Sequence, residues 1–154
     1  VLDGPASLCL PVTCPFELTP ERLNYASLIL TSQATDPVAF QPTDSLLLDA
    51  RPVLVPERLP KSPLGPSFLG LAGRALPPEA FGSEAGAEIP IALTDFVAAL
   101  IDPDRELEDV PDELSLLSLL EPFSVSFASF EGPGSPGEPR LRLILTAIDT
   151  VEIR

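Results

Sequence analysis

Twenty prolines in a chain of 154 residues constrain this sequence more than any other feature. An average protein carries about 5% proline. Each ring fixes φ and removes a backbone donor, so almost every segment is broken before it can become a long helix. Short strands joined by stiff loops are the expected result. Hydrophobic residues make up 45%, which argues against disorder throughout. The length suits a single domain, 1–154, with a full core.

The C-terminal third carries the clearest strand patterns. In Phe123–Phe130, Phe123, Val125 and Phe127 alternate with Ser124 and Ser126, the period of a half-buried strand. In Arg140–Ile148, Leu141, Leu143 and Leu145 face one way, while Arg142, Ile144 and Thr146 face the other. A Gly/Pro-rich segment joins the two, which predicts antiparallel neighbours. Upstream, Ala6–Leu10 reads as a first strand. Arg22–Ser32 is apolar on both faces, as a central strand would be. Ser45–Val55 reads as a strand bent or bulged at Pro52.

Pro56–Ala85 holds five prolines after Pro56 and predicts a long loop, anchored by Phe68, Leu69 and Leu71. A loop of this length is either functional or a flap over an edge strand. Glu88–Leu93 is a short strand feeding one helix. Thr94 is its expected N-cap, Asp95 sits at the positive end of its dipole, and Asp102-Pro103 stops it. Leu93, Phe96, Val97, Leu100 and Ile101 fall on one face. About two turns cannot stand alone, so this helix must cap one end of the core. Leu114–Leu120 fits a strand or a helical turn, and a turn at Glu121-Pro122 favours the strand. The expected fold is all-β: an antiparallel, jelly-roll-like β-sandwich with one short helix and a long proline-rich loop.

The net charge is −14, and Lys61 is the single lysine. No basic cluster offers itself to phosphates or to an anionic bilayer, so the expectation is no nucleic-acid partner and no direct membrane insertion, and a membrane surface is disfavoured. No apolar run is long enough to span a membrane. A chain that begins at Val1 is expected to be processed or cropped. The chain has no histidine. That removes the commonest general base and metal ligand, and with them every Ser-His or Cys-His pair. No phosphate-cradling loop or nucleophile elbow occurs, and nothing marks a catalytic carboxylate pair. The expectation is a chain without catalytic activity.

Two candidate sites remain. Cys9 and Cys14 enclose a short loop, read as a disulfide of an oxidising compartment against the alternative of two buried thiols. Asp102, Asp104 and Glu106 alternate within an acidic loop and could converge on Ca²⁺, against the alternative of a solvated loop. Tyr25 is the one aromatic residue with a polar handle for stacking on a sugar.

Three stretches carry a family likeness: Ile89-Pro-Ile-Ala-Leu-Thr-Asp-Phe-Val97, Val125-Ser-Phe-Ala-Ser-Phe-Glu131 and Glu138-Pro-Arg-Leu-Arg-Leu143. With Leu23–Leu30 and the elements between them, they cover about two thirds of the chain. This order resembles the DNRLRE-type modules, bacterial extracellular β-sandwiches related to carbohydrate-binding modules. The resemblance implies a sandwich outside the cell, used as a stalk or accessory module. The functional expectation is a structural or interaction module of a cell-surface or particle assembly, with protein partners or self-assembly. The alternative is a carbohydrate- or small-ligand-binding accessory module.

Overall fold

A computed structural model describes residues 18–36, 38–70, 73–104, 111–119 and 128–146. Among these, β1 (Leu23–Gln33), β2 (Leu46–Pro52), β3 (Arg74–Leu76), β4 (Glu88–Ala92), α1 (Thr94–Ile101), β5 (Leu114–Ser118), β6 (Ser129–Phe130) and β7 (Arg140–Leu145) follow in chain order. They form two antiparallel sheets with one helix, an all-β fold.

The long apolar run becomes β1, which is buried on both faces and paired on both edges. On one edge lies β4, from Ser27 opposite Ala92 to Thr31 opposite Glu88. On the other lies β7, from Leu23 opposite Leu145 to Ile29 opposite Arg140. Further along, Ser32 faces Phe130 and Gln33 faces Ser129 of β6. The Glu131 amide continues this line by donating to the Thr31 carbonyl.

For Ser129–Phe130, the described end of the first C-terminal segment, this register corrects the expectation of pairing with the second. In the described residues, β6 and β7 are successive pieces of one line laid antiparallel along β1. The Gly/Pro segment between them loops out of that line rather than reversing the chain. Internal bonds hold the loop: Ser135 Oγ and N–H both reach the Gly132 carbonyl, and the Gly134 amide donates to Glu138 Oε2. Gly137 lies so close to Thr31 that a Cβ would sit 2.9 Å from its side chain. Local alternation specifies a strand but not its partner, so this arrangement could not be read from the pattern.

The second sheet has the order β3-β2-β5. Leu46–Leu48 pair with Leu76–Arg74, and Leu48–Pro52 pair with Ser118–Leu114. No register shift accompanies Pro52, so the expected bulge is absent and Pro52 simply closes β2. The reason lies in direction. Leu47 and Val53 bond toward β5, through Leu119 and Glu113, while Ala50 and Pro52 accept bonds from Phe68 and Gly65 on the opposite side. The N–H that proline lacks therefore removes nothing from the β2–β5 ladder.

The expected loop 56–85 contains structure of its own. It holds β3, 3-10 turns at Pro56–Arg58 and Pro78–Phe81, and a bridge from Leu64 to Val53. Gly73 starts β3 with φ +62°, and a Cβ there would stand 2.7 Å from the Leu48 carbonyl oxygen. Only glycine suits that approach. Phe68 and Leu69 pack on the core as anchors, whereas Leu71 lies outside the described residues.

The helix begins at Thr94, but Thr94 is not its cap. Leu93 still donates its amide to the Ala26 carbonyl of β1, and its own carbonyl already receives the first helical bond from Val97. Leu93 is thus the last sheet-bonded residue and the N-cap at once. The Thr94 hydroxyl instead accepts the Ala26 amide at 3.1 Å, tying the helix to β1. Phe96 and Val97 are buried, with Leu100 and Ile101 packed at the margin. One buried cluster joins both sheets and the helix. It runs through Ala26, Leu30, Leu48, Ala50, Leu76, Phe81, Ile89, Ile91 and Phe96.

Candidate functional site

Two polar arrangements stand out against this apolar frame. The first is a carboxylate inside it. Asp49, in the middle of β2, is 0% exposed. Its Oδ1 accepts the Ala50 amide at 2.8 Å and the Ser67 hydroxyl, and its Oδ2 accepts Arg51 Nε at 2.6 Å. Ser67 Oγ also reaches the Gly70 carbonyl and receives the Leu69 amide. Burial acts to raise the Asp49 pKa and is the largest single influence. The bonds from Ser67, Arg51 and Ala50, with the guanidinium charge, together outweigh it and hold the carboxyl below its ordinary value. Both oxygens are thereby engaged: Oδ1 fastens Ser67 of the 62–70 segment to β2, and Oδ2 pairs with Arg51 of the same strand. The base beside Ser67 is Asp49 itself, whose lowered pKa makes it a weak one.

The second arrangement lies on the outer face of the first sheet. Arg140 and Arg142 share one face of β7 because they are two residues apart. Both reach across β1 to Glu88 of β4, Arg140 to Oε1 and Arg142 to Oε2 at 3.3 Å. These ion pairs pass over Ile29 and Ser27, which are buried beneath them. The three charged side chains are about half exposed, so each pair contributes only about 0–1 kcal/mol. Ser27 Oγ is buried with no hydrogen-bond partner among the described residues.

Among the described residues, no strand pairs with the edge of β7 that faces away from β1. Ala26 turns its peptide group to Thr94 and Leu93, and Ser32 turns its own to Ala87 and Gly86, both on the β4 side. Alternation then turns Tyr25, Ser27 and Ile29 toward β7. Their register partners Ile144, Arg142 and Arg140 are tied to β1, while Leu141 and Leu143 present their N–H and C=O groups outward. Leu141 is 55% exposed and Ile144 is 52% exposed. The β4 edge differs, because Pro90 sits opposite Ile29, where its peptide group faces outward and offers no donor. Arg140–Leu145 of β7 contains no such proline.

The residues singled out in the sequence fall elsewhere. Asp102 and Asp104 are exposed, and Asp102 Oδ1 accepts the Asp104 amide at 2.9 Å, a local turn. Glu106 lies outside the described residues, as do Cys9, Cys14, the Phe123–Phe127 pattern and the first expected strand. Among the described residues no three acidic side chains are gathered to hold a metal. Tyr25 is half-buried opposite Ile144. A shallow cleft of about 160 Å³ lies between Phe68 and the start of α1, lined also by Ala92, Leu93, Thr94 and Asp95. It is smaller than the roughly 300–1,000 Å³ of most small-molecule sites. No described helix is long and apolar enough to cross a membrane.

Sequence reasoning missed the buried role of Asp49 and the crossing of Glu88 to Arg140 and Arg142. The Arg-Leu-Arg alternation did place both arginines on one face. Nothing local marked their partner, which lies 52 and 54 residues away. No protein-family model, curated protein or solved structure matches the chain. The likeness to DNRLRE-type modules rests on the residues that carry it.

Proposed function

We propose that this chain is a non-catalytic, extracellular structural or interaction module. In this reading the two sheets close on each other as a jelly-roll-like sandwich, and the domain works within a cell-surface or particle assembly. The observation that carries the proposal is β7, whose second edge has no partner strand among the described residues, with exposed Leu141 and Ile144 and no proline within Arg140–Leu145. Such an edge is a template for another chain unless it is blocked. The polar chemistry elsewhere supports the same reading, since the oxygens of Asp49 are engaged by the chain's own Ala50, Arg51 and Ser67.

The test is the mass of the native particle from its source, by light scattering with mass spectrometry of whatever co-purifies. A fixed partner or a defined large complex is expected. A clean monomer at every concentration would reject the proposal.

A further inference from the structure

We propose that the β7 edge receives an extended segment of a partner protein whose alternate residues are acidic, added as a further antiparallel strand. The inference rests on the interaction-module reading and specifies the partner's chemistry. Strand addition draws affinity from main-chain bonds and specificity from alternate side chains. Here Leu141 and Leu143 offer the main-chain groups. Flanking them on the outer face stand Arg140 and Arg142, which share the single carboxylate of Glu88. Among the described residues, two guanidiniums against the one carboxylate of Glu88 leave a surplus positive charge on this edge, in a chain whose net charge is −14. Carboxylates two residues apart on an incoming strand would meet both arginines, because residues i and i+2 share a face. The intervening residues would continue the apolar side that Leu141, Leu143 and Leu145 begin. The acidic remainder of the molecule repels an acidic peptide at long range, so binding depends on register with the arginine pair and not on charge alone.

The experiment titrates the full chain with a peptide of alternating glutamate and valine. The controls are a scrambled peptide of the same composition and one of alternating lysine and valine. The alternating acidic peptide is expected to bind, with both controls weaker. Exchanging both arginines, Arg140→Glu with Arg142→Glu, should weaken binding at least about tenfold, the equivalent of about 1.4 kcal/mol. Glu88→Gln should strengthen it several-fold, because Glu88 competes for the same guanidiniums, and a merely structural role for Glu88 would not move affinity in that direction. Leu141→Pro, which removes an outward donor, should abolish binding, with thermal unfolding confirming that the fold persists. Equal binding of the lysine peptide, or indifference to the arginine exchange and to Glu88→Gln, overturns the proposal. If the native particle holds a partner while the acidic peptide fails, the partner chemistry is wrong and the interaction-module reading stands.

Discussion

Asp49→Ala is expected to destabilise the chain by about 2–4 kcal/mol, the range for breaking a buried charged network. The substitution strips the Ser67 hydroxyl, the Ala50 amide and Arg51 Nε of a shared acceptor. It also removes the side-chain tie from Ser67 while leaving the Gly65 and Phe68 backbone bonds to β2, so chemical denaturation should be accompanied by faster proteolysis in that loop. The acid limb gives an independent check. The folded pKa of Asp49 is depressed. Its stabilisation is therefore fully present above the ordinary carboxylate range and is lost as pH falls through the lower folded value. Protonating the many other carboxylates relieves repulsion in a chain of charge −14 and acts in the opposite sense. Asp49→Asn isolates the single group. The stability difference between wild type and Asp49→Asn should be constant near neutrality and shrink below about pH 4. A difference independent of pH would contradict the charged, bonded state of Asp49.

Phe81→Ala should cost about 3–5 kcal/mol, the usual price of an emptied aromatic site in a core. Phe81 is 0% exposed at the end of a 3-10 turn, and its carbonyl receives the Thr35 amide at 3.0 Å. Its ring stands nearly perpendicular to Phe130 of β6, with centroids 5.7 Å apart and an interplanar angle of 83°. Truncation therefore removes both core volume and the packing that seats β6 on β1. Phe81→Leu, which restores most of the volume, should cost about 1–2 kcal/mol. Denaturant titration separates the two variants. Equal losses would mean that the ring contact, and not volume, governs the site.

Much of this architecture was legible because the decisive signals are local. The doubly apolar run gave β1, the Leu-Arg alternation gave β7, and the apolar face from Leu93 to Ile101 gave α1 with its stop at Asp102-Pro103. Leu114–Ser118 resolved as the strand favoured over a helical turn. What was not legible depends on residues far apart in sequence. Three-residue β3 is too short to show a period and exists because β2 pairs with it past Gly73. The collinearity of β6 and β7 is decided by their common partner, not by the loop between them. An aspartate after three leucines reads as a solvent-facing residue. Its burial is stabilised by Ser67, 18 positions downstream. Thr94 looked like a cap because its type and position fit one, yet its hydroxyl accepts the Ala26 amide of a neighbouring strand.

The open β7 edge carries the functional account, and amide hydrogen exchange on the isolated chain and on the native particle tests it most directly. In the isolated chain, Arg142 and Ile144 should exchange slowly because β1 holds their amides, while Leu141 and Leu143 exchange fast. In the native particle, Leu141 and Leu143 should become as protected as Arg142. Protection of both leucines already in the isolated chain, or their continued fast exchange in the particle, would contradict the account.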